Sequence, residues 1–272
     1  LEGTPMYSVS YEGKPFLLPS RLGFSLLGTT AMESLFEVTD IRKIEQRSTW
    51  KPVYGERSEY PDNYNQMTVA LTEKLFPHRQ LNIVFRAYNE GIAFRYELPA
   101  QKDLEKVVIN SEHTEFSFPQ YTSVWQSYGH EGKYSKVYAG EIQPNCELPL
   151  TCLTENGIYG AIFEAGNSHY PRAYVQSVNR KGTTIRVSLR GEAKSTDGIT
   201  TAWRAITLSD RPGGLLEQNY LVLNLNEPCQ IEDTSWIKPG TAIREIDLKT
   251  ESSFEFIDFC ARKGIDYILY DA

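Results

Sequence analysis

Residues 81–98 run LNIVFRAYNEGIAFRYEL, and their spacing decides the fold class. Leu81, Ile83, Phe85 and Ala87 occupy every second position, Asn89-Glu90-Gly91 supplies a turn, and Ile92, Phe94, Tyr96 and Leu98 resume the alternation. A period of two puts alternate side chains on opposite faces of a strand, whereas a helix needs 3.6. The stretch therefore predicts a β-hairpin. The same pattern recurs outward from it. Leu148, Leu150 and Cys152 lead to Asn156-Gly157, and Ile158, Gly160 and Ile162 return. Val175 and Ser177 lead to Lys181-Gly182, and Ile185, Val187 and Leu189 return. Further strands are expected at 6–11, 66–71, 115–118, 202–208 and 220–225. Turn signals at this density, with almost no helical period before residue 210, predict a mainly β chain built as a large antiparallel sandwich. Asp210-Arg211-Pro212-Gly213-Gly214, followed by Leu215-Leu216-Glu217, predicts a short helical turn.

The last thirty residues change character. Residues 242–248 predict a strand. Ser252 and Glu255 have capping-box spacing for a helix start. Phe254, Ile257, Cys260 and Ala261 share one helical face, and Gly264 sits where a glycine ends a helix. Ile265-Asp266-Tyr267-Ile268-Leu269-Tyr270 then reads as an apolar strand. Strand, helix, strand is a βαβ unit, which implies parallel pairing and needs further strands beside it. The expected organisation is a β domain over 1–240 and, over 241–272, the opening of an α/β domain whose remainder is absent.

Composition narrows the function classes. With 272 residues the chain can bury an ample core without staples. Lys plus Arg is 28 and Asp plus Glu is 35, a net charge of −7, which argues against a nucleic-acid binder. Apolar residues make up 40% and charged residues 23%, ordinary globular usage that argues against disorder. No run approaches the ~20 apolar residues of a membrane span. Leu1-Glu2-Gly3-Thr4-Pro5 is not a signal peptide, and with no initiator Met the start reads as a processed or cut end. Cys146, Cys152, Cys229 and Cys260 lack metal-ligand spacing. Cys146 and Cys152, if extended at ~3.3 Å per residue, stand about 20 Å apart, too far for a bridge, so the redox compartment is left open. The histidines show no H-x-x-x-H spacing, and there is neither a G-x-S-x-G elbow nor a phosphate loop. The aromatic share of 12% suits strands or sugar-stacking surfaces. For Trp203 and Trp236, which sit in strand and linker patterns, packing is the expected role. Tyr128-Gly129-His130-Glu131-Gly132 is a candidate loop near a pocket.

Several segments read together: Trp50-Lys51-Pro52-Val53-Tyr54-Gly55-Glu56, Tyr64-Asn65, Ile162-Phe163-Glu164-Ala165 with Tyr170-Pro171, Trp203-Arg204, Asp210-Arg211-Pro212-Gly213, and Asp233-Thr234-Ser235-Trp236-Ile237-Lys238-Pro239-Gly240. In this order they resemble the amino-terminal part of glycoside hydrolase family 97, over essentially the whole chain. The last segment is the most specific. The resemblance implies an N-terminal β-super-sandwich, a catalytic (β/α)8 barrel beginning at about residue 241, and a small C-terminal β domain. It implies a calcium-dependent enzyme, periplasmic or secreted, that hydrolyses terminal α-glucosides or α-galactosides. Its partners would be an oligosaccharide or glycoside substrate and the rest of the barrel. Where starch-acting members carry a Trp-rich first barrel strand, this chain has Ala242-Ile243-Arg244-Glu245-Ile246, resembling a different branch.

Glu164 is the leading site residue. Alternation puts it on the face of Ile158, Gly160 and Ile162, where a carboxylate is costly unless a cation or hydrogen bonds compensate. The resemblance gives Glu164 the role of a calcium ligand; the plainer alternative is a solvent-facing strand end. Asp271 and Glu245 are expected to bind substrate, because barrels carry their sites at the carboxyl ends of strands. The alternative there is an ordinary charge pair of Arg244 with Glu245 and an Asp271 that merely starts a loop. No catalytic residue is expected in this chain, since both carboxyl groups of the reaction belong to the later barrel. A non-catalytic β-sandwich that binds carbohydrate or a partner protein is the competing reading. The βαβ tail speaks against it.

Overall fold

The computed structural model describes residues 2–271 apart from Asp103, His130 and Lys181. The expected turn at Lys181 and the His130 position of the candidate loop thus lie outside the described residues, as does Ala272. The chain divides into two compact units. One comprises Leu1–Thr49 and Pro61–Glu227; the other comprises Trp50–Tyr60 and Pro228–Ala272.

The larger unit is built from antiparallel sheets. A five-stranded sheet runs in the order Met6–Tyr11, Lys14–Arg21, Glu115–Ser117, Thr184–Leu189, Ala173–Ser177. A ten-stranded sheet has at its centre Leu150–Leu153, Tyr159–Ala165, Trp203–Ser209, Gly91–Leu98 and Gln80–Tyr88, with Tyr60–Glu73 and then Phe36–Trp50 at one edge. A third sheet joins Ala193–Ser195, Val107–Glu112 and Phe24–Leu26. The hairpin at residues 81–98 forms as expected, with Ala87 opposite Ile92 and Phe85 opposite Phe94. The one through Asn156-Gly157 forms with Cys152 opposite Gly160.

One face of each sheet is apolar, and these faces make the main core around Phe16, Phe94, Phe116, Phe118, Ile162 and Ile206. Gly160 permits the packing of Phe16: a Cβ there would lie 2.3 Å from the Phe16 ring. The strand Trp203–Ser209 is buried along its whole length. Its outer face, with Trp203 and Ala205, joins a second cluster under Leu221 and Leu225. Those two leucines belong to a segment that departs from expectation. Residues 220–225 do not form a strand; Leu221–Asn224 is a short helix following the helix Pro212–Glu217. The buried residues at 220, 221, 224 and 225 recur with a helical period. The 15-residue strand Phe36–Trp50 lies where the sequence shows no strand pattern. It is exposed along most of its length, so no apolar alternation marks it. Its Asp40, Arg42, Lys43 and Glu45 are the charges that keep a sheet edge from pairing with strangers.

In the smaller unit, Ala242–Glu245 pairs in parallel with Tyr267–Tyr270, and the helix Thr250–Lys263 connects them. Gly264 ends the helix in the left-handed conformation, φ +65°. The helix start corrects the capping-box expectation. Lys249 is the N-cap, and the Ser252 hydroxyl, inside the first turn, lies within hydrogen-bond distance of two acceptors, Glu245 Oε1 at 3.0 Å and the Lys249 carbonyl at 3.1 Å. The strand stops at Glu245 rather than 248, because the Asp247 and Leu248 N–H groups turn back onto the Glu245 carboxylate. Trp203 is buried as expected, whereas Trp236 is 67% exposed.

Candidate functional site

At one end of the strand Tyr159–Ala165, backbone register sets Glu164 directly opposite Arg204 of Trp203–Ser209. Both point inward by parity, Glu164 with Ile162 and Arg204 with Ile206. Burying the guanidinium requires partners, and each of its three nitrogens donates to a carboxylate. Arg204 Nε donates to Glu112 Oε1 at 2.8 Å and Nη2 to Glu112 Oε2 at 2.6 Å, a two-pronged match of fork to carboxylate. Arg204 Nη1 donates to Glu164 Oε2 at 2.9 Å. The Ala173 N–H bridges both Glu164 oxygens at 3.2 and 3.1 Å. The Tyr170 hydroxyl donates to Glu112 Oε2 at 3.0 Å, and its ring lies under the guanidinium. The side chains of Arg204 and Glu112 are each 1% exposed, while that of Glu164 is 16% exposed.

These surroundings separate the two carboxylates. Burial pushes the Glu112 carboxyl up, but the charge and hydrogen bonds of Arg204 outweigh it and hold Glu112 below the usual range. Burial also pushes Glu164 up, and there Arg204 and the Ala173 N–H offset it only in part, so Glu164 stays above its usual value. Burial and the nearby Glu112 charge keep the Tyr170 hydroxyl protonated. Beside this cluster Arg172 Nη2 pairs with Glu147 Oε2 and stacks over the Tyr174 ring at 5.1 Å.

The calcium ion implied by the resemblance takes six to eight oxygens. Among the described residues no group of three or more His, Cys, Asp or Glu side chains could hold a metal. Glu164 fits as one donor of such a set, being an oriented carboxylate with an open edge.

The other two expected site residues lie in the smaller unit, at the same end of its parallel pair. Asp271 follows the second strand, is partly exposed, and its Oδ2 lies 2.7 Å from Arg244 Nε. Glu245 is fully buried, with Oε1 accepting from Asp247 N–H and Ser252 Oγ and Oε2 from Leu248 N–H. Arg244 therefore pairs with Asp271. Sequence reasoning assigned no role to Arg204 or Glu112. The signal for Arg204 was its parity: a charged residue alternating with Ile206 and Leu208 on the apolar face.

The family description glycosyl-hydrolase 97 N-terminal matches residues 1–228. A probable retaining α-galactosidase of Streptomyces bingchenggensis is 26% identical over 99% of this chain and 43% of its own length. A retaining α-galactosidase of Bacteroides thetaiotaomicron is 24% identical over 97% of this chain and 46% of its own. A solved structure of a glycoside hydrolase family 97 enzyme from Pseudoalteromonas sp. strain K8, in complex with acarbose, superimposes with a TM-score of 0.90 at 25% identity, over 98% of this chain and 44% of that one. The chain spans about half the length of the relatives it matches.

Proposed function

The chain belongs to the glycosyl-hydrolase 97 N-terminal family, and from that premise we infer that it is the β domain, with the first strands of the catalytic barrel, of a calcium-dependent retaining α-galactosidase, periplasmic or secreted. The observation that carries this reading is the alignment of nearly the whole chain with two proteins named as retaining α-galactosidases, at under half of their length. The parallel strand–helix–strand unit at the carboxyl end supports the barrel assignment.

Cleavage with retention takes two carboxyl groups about 5–5.5 Å apart, one attacking carbon and the other protonating the leaving oxygen. We assign both to the part of the protein beyond this chain, which alone would then be inactive. Glu164 would hold calcium as one ligand among several. A bound calcium would supply positive charge to polarise an oxygen of the substrate. Asp271, partly exposed at a strand's carboxyl end, would face substrate. Glu245, its oxygens taken by its own chain, would shape the loop that follows it.

The test is an assay of the full-length enzyme and of the 272-residue chain on nitrophenyl α-galactoside and α-glucoside, with and without chelator. Chelator-sensitive cleavage of the galactoside by the full-length enzyme alone is expected, with the anomeric configuration of the first product retained by NMR. Preference for the glucoside would overturn the substrate assignment, and turnover by the chain alone would overturn the placement of the carboxylates. Sugar retention by the chain beside an inactive full-length protein would favour a carbohydrate-binding module.

A further inference from the structure

We propose that Glu112 sets the charge and the direction of the Glu164 carboxylate by holding Arg204, and so acts as a positioning residue for a cation it cannot touch. The inference rests on the reading of Glu164 as a calcium ligand, and its test separates the two.

Two carboxylates share one guanidinium, so the cluster carries one net negative charge. The sharing is unequal. Glu112 receives two of the Arg204 donor nitrogens, at 2.8 and 2.6 Å, and Glu164 receives one, at 2.9 Å. A guanidinium fork matched to one carboxylate largely neutralises it. The surplus charge therefore rests on Glu164, the only one of the three side chains with appreciable exposure. The Ala173 N–H, bridging both Glu164 oxygens at 3.2 and 3.1 Å, fixes the carboxylate from another side. A cation at the exposed side of Glu164 meets an anion that holds only the lesser share of the guanidinium and whose direction is set.

Removing the Glu112 charge changes this without touching a ligand atom. The Arg204 fork loses its two-pronged partner and turns its charge on Glu164, the other carboxylate to which it is bridged. The net charge of the cluster falls to zero, and calcium must then compete with the guanidinium. Groups that orient a ligand in this way typically alter metal affinity by about 10–100-fold when replaced.

The experiment uses chelator-stripped full-length enzyme titrated with calcium chloride in a calorimeter, with kcat and KM measured over the same calcium range. Glu112→Gln is expected to weaken calcium binding about tenfold or more, with kcat returning as calcium saturates. Arg204→Lys, which keeps the charge but cannot span both carboxylates, is expected to weaken it as well, and it decides the matter if Glu112→Gln does not fold. Glu164→Gln is the reference and should abolish most of the binding. Wild-type affinity in a folded Glu112→Gln or Arg204→Lys protein, beside loss in Glu164→Gln, would overturn the positioning role and leave the ligand reading intact. Wild-type affinity in Glu164→Gln would overturn both.

Discussion

Glu164 and Arg204 are paired residues on adjacent antiparallel strands, and Arg204 Nη1 lies 2.9 Å from Glu164 Oε2. The next pair in the ladder, Ala165 and Trp203, points to the other face and into the outer apolar cluster. A slip of one residue would exchange the two faces, carrying a tryptophan to the ion cluster and an arginine under the helices. Packing on both faces therefore fixes the register that builds the site.

Replacing Arg204 by Met should destabilise the chain by about 3–5 kcal/mol, the usual cost of leaving a buried charge without its partner. The double variant Arg204→Met with Glu112→Gln should recover much of the loss, because no uncompensated charge remains deep in the core. Urea unfolding followed by tryptophan fluorescence measures both. Equal losses in the single and double variants would count against the charge argument.

The two carboxylates should give stability opposite slopes with pH. Glu112 is held below its ordinary value of 4.5 in the folded chain, so its contribution is present above that value and is lost as pH falls through the folded value. Glu164 is raised above 4.5, so the folded form holds its proton more tightly than the unfolded form. Stability then declines as pH rises from 4.5 through the raised value. In melting curves from pH 3 to 8, Glu164→Gln should remove that decline, whereas Glu112→Gln should remove the rise at lower pH. A Glu164→Gln curve parallel to wild type would show that Glu164 ionises as freely as in solvent.

Glu245→Ala should loosen the start of the helix Thr250–Lys263. The change strips a hydrogen-bond acceptor from Asp247 N–H, Leu248 N–H and Ser252 Oγ. Unpaired donors of this kind cost about 1–3 kcal/mol. Amide exchange at 247–252 should quicken by roughly ten- to a hundredfold, the same energy expressed as a rate. Unchanged exchange would mean that water replaces the carboxylate without loss.

Gly160→Ala places a methyl 2.3 Å from Phe16 Cζ. Overpacking of this kind costs about 1–3 kcal/mol. Phe16→Leu should remove much of the clash, so the double variant should be less damaged than the sum of the single changes. The coupling read from a double-mutant cycle should be about 1 kcal/mol or more. Strict additivity would place the strain elsewhere.

What the sequence determined by itself is local. Alternation at 81–98 and around Asn156-Gly157 specified hairpins, because a strand's period and a tight turn are properties of consecutive residues. Gly264 marked a helix end for the same reason, and strand–helix–strand order required a parallel pair. Parity put Glu164 on the inward face. Only the tertiary structure decided what Glu164 meets there. Its partner Arg204 lies 40 residues away, and Arg204 is held by Glu112 from 92 residues away. Which strand lies beside which depends on packing three sheets around one core, and no local period records that choice. The same holds where the sequence misled. Residues 220–225 were too short a run to separate a strand from a helix, and their position over the outer cluster settled the matter. The strand Phe36–Trp50 carried no signal, since its largely exposed residues have no apolar face to display.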